Sequence, residues 1–266
     1  MPKTSIFVPA AAVFFVTSAL AHQTFLQPKN FEWAVGDKVE IAMTSALSYP
    51  DFLSGPSPSR IADASVTIAG MGVDDFSYEE NETFLNIAFE AEREGMAVVA
   101  LSSKVRAGEI EPKDAEMYLD EIGADDAVRQ AFLDLPGDPP LQRSYRKHTK
   151  TFFCVGNCRA DDEATSKPVG QALEFVAVPS SKREFRLLWE GEPLAHHDVL
   201  AVASDSTSVK MKSGSNGLVR VDASMSGPVM MMAVWITLPS EPAGTYHSDY
   251  ATLTVHLDPP NPRDGK

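Results

Sequence analysis

Residues 184–257 read EFRLLWEGEPLAHHDVLAVASDSTSVKMKSGSNGLVRVDASMSGPVMMMAVWITLPSEPAGTYHSDYATLTVHL. The stretch breaks into short apolar or alternating runs at 184–189, 199–204, 208–212, 217–222, 229–237 and 250–257, parted by Gly, Pro, Asn, Asp and Ser. With the run at 172–178 just upstream, these make seven strand-like segments in about 90 residues, the pattern of an immunoglobulin-like β-sandwich. The sequence therefore predicts such a domain over 171–258, with a Pro-containing tail at 259–266 that has nothing to pack.

Upstream, polar residues 161–170 read as a linker. Residues 22–160 again alternate as strands, at 39–43 (VEIAM), 64–68 (ASVTI), 83–89 (TFLNIAF), 95–102 (GMAVVALS) and 141–156. The region around 104–135 breaks the period. Glu111-Pro112 opens a helix, Ala115, Tyr118, Leu119 and Ile122 recur at helical spacing, Gly123 closes it, and 125–135 forms a second short helix before Pro136. The fold class is mainly β: two immunoglobulin-like sandwiches, the first with a helical insertion.

Residues 1–21 have the layout of a secretory signal peptide. Lys3 is the basic end, 6–16 (IFVPAAAVFFV) is an apolar run too short for a span, and Ala19-Leu20-Ala21 offers small residues at the cleavage positions. The mature chain is expected to begin at His22 and to be periplasmic, with no membrane insertion after cleavage. Its formal charge, −14 for the whole chain, becomes −15 once Lys3 is lost. Such a balance repels phosphate backbones, so nucleic acid is excluded as a partner and a metal cation is favoured. Cys154 and Cys158, the two cysteines, sit in FFCVGNCR. Export and the Gly-Asn turn between them point to a disulfide; the alternative is a C-x3-C metal clip, for which two sulfurs alone make a poor site.

Hydrolase, zincin, P-loop and dinucleotide motifs are all missing, which leaves histidine as the chemistry-bearing residue. At a mature N-terminus, His22 offers an α-amine and an imidazole that chelate one ion together, a set suited to nickel, cobalt, copper or zinc. Parity of strand direction brings the loops holding His196, His197, His247 and Asp249 to one end of the second sandwich, the end that the linker enters. His148, among Arg146, Lys147 and Lys150, is at most an additional ligand; those cations suit an anion better than a metal ion. His256 falls on a polar face. In Met230-Met231-Met232 alternation sends the middle side chain to the opposite face, so core packing accounts for the run better than copper(I) does. The acidic stretches 74–82 and 161–163 lack the glycine and spacing of a calcium loop and read as solvated faces.

Several of these segments together resemble a known family. Ala21-His22-Gln23-Thr24-Phe25-Leu26-Gln27-Pro28 is similar to its opening, and Tyr118-Leu119-Asp120-Glu121-Ile122-Gly123 to its helical segment. Tyr145-Arg146-Lys147-His148-Thr149-Lys150 with Val155-Gly156 looks like its long strand, and Gly191-Glu192-Pro193-Leu194 and Tyr250-Ala251-Thr252-Leu253-Thr254 resemble its second half. The family comprises bacterial periplasmic proteins of a domain of unknown function associated with nickel or cobalt uptake, of the ABC-type cobalt transport kind. The resemblance implies a periplasmic component that works beside an envelope transporter. Two places depart from the pattern: Ala195-His196-His197-Asp198 stands where the family has small residues, and Tyr246-His247 where it has an aromatic–acid pair.

The function expected from the sequence is a non-enzymatic periplasmic binding protein for a divalent transition metal, in uptake or homeostasis. The rival is a non-catalytic interaction module that holds a polysaccharide or a partner protein. A third reading, a copper oxygenase built on His22, lacks the aromatic substrate face it would need. Protein recovered from a periplasm should begin at His22 by intact mass; a start more than two residues away removes the amine chelate.

Overall fold

A computed structural model describes residues 22–158, 163–179, 181–241 and 243–259. Residues 1–21, expected to be a signal peptide, part of the expected 161–170 linker and nearly all of the 259–266 tail lie outside the described residues. In chain order the first strands are β1 (Gln23–Pro28), β2 (Glu32–Trp33), β3 (Lys38–Ala46), β4 (Ile61–Ile68) and β5 (Met71–Gly72). Next come β6 (Phe76–Glu80), β7 (Leu85–Glu90), β8 (Gly95–Ser103) and β9 (Arg106–Ile110). Helices α1 (Pro112–Glu121) and α2 (Asp126–Leu133) precede β10 (Leu141–Val155). The second half holds β11 (Leu173–Ala177), β12 (Glu184–Trp189), β13 (Glu192–Pro193), β14 (Asp198–Ala203) and β15 (Ser208–Lys212), then β16 (Leu218–Arg220), β17 (Gly227–Thr237) and β18 (Tyr246–Leu257). No helix among the described residues is long and apolar enough to cross a membrane.

Three sheets result. One is four-stranded, in the order β1-β3-β7-β6, and another joins β11, β12, β13 and β16. Between them runs a ten-stranded sheet, β15-β14-β17-β18-β10-β8-β4-β5, with β2 and β9 also paired to β10. The two sandwiches are real, and they are fused: the central sheet supplies one layer to each. Its continuity rests on β10, which pairs with β18 in parallel and with β8 and β9 antiparallel.

Alternation along these strands sorts residues into separate cores. Phe153 and Val155 of β10 join Ala97, Val99 and Leu101 of β8 in the first sandwich's core, against Val39, Ile41 and Leu85. Phe152 and Val98 point the other way, into the second core with Phe175, Leu187 and Leu253. The methionine run obeys the same rule. Met231 is buried in the second core, while Met230, with Met232 beside it, packs against Phe25 and Tyr49. These are core residues.

The helices form where the sequence placed them. Pro112 starts α1, and the Asp125 side chain accepts the Val128 N–H at 2.9 Å to cap α2. They bury Tyr118, Leu119, Val128 and Phe132 against Val234, Tyr246 and Tyr250. The insertion thus covers strands of both halves. Strands β1, β6 and β9 were not anticipated. β1 and β6 sit at sheet edges, and β6, like β9, is largely exposed, so its alternation is weak in the sequence. Cys154 and Cys158 form the disulfide.

A buried ion pair fastens the layers. Lys150 of β10 bonds Glu174 of β11 and donates to the Phe175 carbonyl at 3.0 Å. Glu174 also accepts the backbone N–H groups of Val169 and Gly170, at 3.0 and 3.1 Å. Both side chains are almost wholly buried, so removing one partner leaves an uncompensated charge in the core. Glu174→Gln should destabilise the fold by about 3–5 kcal/mol in denaturant titrations. A Lys150→Met/Glu174→Leu double variant should lose less than the two single changes added together.

Candidate functional site

Parallel pairing of β10 with β18 sets Ser144 against His247, Arg146 against Asp249 and His148 against Ala251. Alternation then turns Ser144, Arg146 and His148 of β10, and His247, Asp249 and Ala251 of β18, to one face, that of the second sandwich. A chain of polar groups crosses it. Ser102 Oγ lies 2.8 Å from His148 Nδ1, and His148 Nε2 lies 3.1 Å from Asp249 Oδ1. Asp249 Oδ2 lies 3.4 Å from His247 Nε2, whose Nδ1 is 2.7 Å from Ser144 Oγ.

The chain runs from the interior to the surface. His148 and Asp249 are buried, whereas the His247 side chain is 30 % exposed. An isolated carboxylate this deep would carry a heavy desolvation penalty, which the His148 ring at hydrogen-bond distance and the nearby His247 ring offset. Each ring is oriented from behind by a serine hydroxyl, so both Nε2 atoms aim at one carboxylate. A neutral imidazole carries one N–H; placed on Nε2 it faces the carboxylate, and Nδ1 then accepts from the serine hydroxyl.

The predicted ligand residues divide into three groups. His247 and Asp249 come together, with His148 as their buried partner. His197 is separate: Trp235 is the register partner of Asp249, and the His197 ring packs against Trp235, tilted, with ring centres 5.7 Å apart. Its Nε2 lies 2.9 Å from the Val234 carbonyl. A carbonyl only accepts, so the proton sits on Nε2. Ser213 ties this loop down, accepting the His196 N–H and, through Oγ, the His197 N–H. His196 itself is exposed, with φ of 55°, and meets neither Asp249 nor His247 in an ion pair.

His22 is on the other face of the central sheet. Its carbonyl accepts from Lys147 Nζ, and Lys147 projects opposite to its neighbour His148. His22 and the Asp249 centre are therefore two places, not one. His256 is exposed beside Phe31 and Asp258. Among the described residues, no three His, Cys, Asp or Glu side chains already surround a common point that would hold a metal ion. Sequence reasoning ranked His148 last and missed Ser102 and Ser144. The available signal was the even spacing Ser144-Arg146-His148, which places all three on one face.

Burial holds the His197 imidazole below its ordinary pKa, and the Val234 hydrogen bond only partly opposes this. A depressed histidine pKa means that the unfolded chain takes up the proton first. The stability this contributes is complete above about pH 6.5 and is lost as pH falls below that value. His197→Gln should flatten part of the acid-side fall in stability, followed by thermal denaturation between pH 7.5 and 5; an unchanged slope would contradict the assignment.

The family model described as Domain of unknown function (DUF4198) matches residues 19–237. No curated protein matches the chain. Among solved structures, it is similar to a chimeric titin Z1Z2-Z1Z2 tandem functionalized with a GRGDS peptide from fibronectin, at 12 % identity over 89 % of this chain and 100 % of that one, with a TM-score of 0.23. The D0-D1 domain of intimin follows at 8 % identity, covering 87 % and 97 %, with a TM-score of 0.22. The fibronectin(III)-like modules of Clostridium thermocellum CbhA stand at 8 % identity, covering 88 % and 94 %, with a TM-score of 0.20. Scores this low carry no argument about the site, and the family match carries the assignment. The chain belongs to the DUF4198 family, a domain of unknown function.

Proposed function

We propose that this chain is an exported, non-catalytic binding protein for a divalent transition metal, nickel, cobalt, copper or zinc, and that His247 and Asp249, backed by His148, supply the donors. The supporting observation is the convergence of two serine-oriented imidazole Nε2 atoms on one carboxylate. Metal bonds of about 2.0–2.2 Å put neighbouring donors about 3 Å apart, the scale of the 3.1 and 3.4 Å separations here. The two rings approach opposite carboxylate oxygens, so the donors fit pairwise rather than as a finished set of three. Half-buried His247 is the side chain free to adjust. The ion would replace the protons that now bridge these groups, which makes affinity fall on acidification. Export rests on the layout of residues 1–21, and a role in uptake or homeostasis beside an envelope transporter is the reading that the family resemblance favours.

Calorimetric titration of copper, nickel, zinc and cobalt into metal-free protein tests this. His247→Ala and Ser144→Ala should each weaken binding by about 10- to 100-fold, the first by removing a donor and the second by releasing its orientation. Extra residues ahead of His22 should leave affinity unchanged, because His22 is on the opposite face. If that extension abolishes binding, the ion sits at His22. If no metal binds more tightly than about 100 μM, the metal reading fails.

A second reading, the interaction module for a polysaccharide or partner protein, is favoured by an open groove of about 520 Å³ on the outer face of the β1-β3-β7-β6 sheet. Phe52 and Phe84 wall it, and Gln27, Asn81 and Asn86 line it. Close to exposed Phe52 in the chain, Gly55 packs so tightly that a Cβ there would come within 2.5 Å of the Asn81 carbonyl oxygen. Phe52→Ala should abolish retention on a polysaccharide or partner-protein column if this groove is the working surface, without touching metal affinity.

A further inference from the structure

The face of the central sheet opposite Asp249 gathers cations. Arg143 and Lys147 flank Tyr145 on β10, and Arg106 of β9 is the register partner of Tyr145. Arg60 precedes β4, and its carbonyl accepts the Lys104 N–H at 2.8 Å, two residues before Arg106. The three arginines all lie near enough to Lys147 to act on its charge. The Lys147 ammonium is pushed down to about 8, first by burial and then by the charges of Arg143, Arg106 and Arg60.

Like charges held together normally recruit a carboxylate, and this chain has 37 Asp and Glu against 23 Lys and Arg. Elsewhere recruitment happens. On the same strand Arg146 takes Asp63 and Lys150 takes Glu174. Among the described residues, no carboxylate lies within ion-pair distance of Arg60, Arg106, Arg143 or Lys147. Arg143 and Lys147 meet aromatic faces and neutral oxygens instead. The Arg143 guanidinium centre is 5.0 Å from the Tyr118 ring and 5.1 Å from the Tyr145 ring, and its Nε is buried without an acceptor. Lys147 Nζ donates to the His22 carbonyl and to Thr24 Oγ1, and lies 5.9 and 5.7 Å from the rings of Tyr145 and Tyr250.

Ring faces hold Arg143 and Lys147 in place without neutralising them. Burial keeps the Tyr250 hydroxyl protonated, with the neighbouring Tyr118 acting in the same direction. The result is a cluster of donors: Arg143 and Lys147 held by ring faces, with the exposed guanidinium groups of Arg106 and Arg60 alongside. Planar guanidinium groups match carboxylate and phosphate oxygens in pairs.

We propose that Arg60, Arg106, Arg143 and Lys147, walled by Tyr118, Tyr145 and Tyr250, bind a small oxyanion with two or more negative charges, a phosphate or a polycarboxylate. The site is independent of the Asp249 centre because the sheet separates them. Titrate inorganic phosphate, citrate and chloride separately into metal-free protein at low ionic strength. Phosphate or citrate should saturate one site, and Arg106→Gln and Lys147→Met should each weaken that binding tenfold or more. Arg146→Gln, whose charge is matched by Asp63, should bind as the unaltered protein does. Arg106 is exposed, so its replacement reads binding rather than folding. Saturation by phosphate alone identifies a phosphate ligand, and by citrate alone a polycarboxylate. If neither binds more tightly than chloride, or if both variants bind normally, the proposal is overturned.

Discussion

Strand β10 has to satisfy two layers at once, and most of the molecule follows from that demand. Fifteen residues long, it pairs with β9 through its first turn of sequence, with β18 along its middle and with β8 at its end. A strand of this length in one sandwich would overrun its core. Here the surplus is used by handing successive residues to different partners. Phe153 goes to the first core, Phe152 to the second, Lys150 to Glu174 and His148 to Asp249.

Burial of charge inside such a sheet is tolerated only where partners are fixed. The Lys150–Glu174 pair is completed by a backbone carbonyl and two backbone N–H groups, and the Asp249 carboxylate by two imidazoles with serines behind them. Both arrangements place polar specificity where apolar residues would pack as well, so they define which layer lies against which. The Asp249 chain differs in one respect. It reaches the surface at His247, whose side chain is 30 % exposed. The Lys150 pair has no such outlet.

The two faces of the central sheet carry opposite electrostatics. Histidines and a carboxylate stand on the side of the second sandwich; arginines, a lysine and tyrosines stand beneath the helical insertion and β1. That separation arises from the two-residue period of a strand, because Lys147 and His148 are neighbours in sequence and cannot share a face. It also explains why the local composition around His148 misleads. Its cationic neighbours suggest an environment hostile to metal, yet two of the three have their charge matched by Asp63 and Glu174, and Lys147 lies across the sheet.

Local periodicity was enough to determine the β class, the seven runs of the second half, the helices near 112–133 and the opposed methionines of 230–232. Each is a property of residues within a few positions of one another, or of simple strand parity. His247 and Asp249, expected on a loop, instead lie on strand β18. The sequence alone did not decide that the two sandwiches share a sheet, nor that His148 and not His196 completes the Asp249 cluster, nor that His22 lies on the far side. Those depend on the parallel register of β10 against β18, which joins Ser144 to His247 across 103 positions and His148 to Asp249 across 101. Parallel partners are separated by long connections, and nothing in the local pattern of either strand specifies which remote strand it will meet; packing of the two cores against one sheet does.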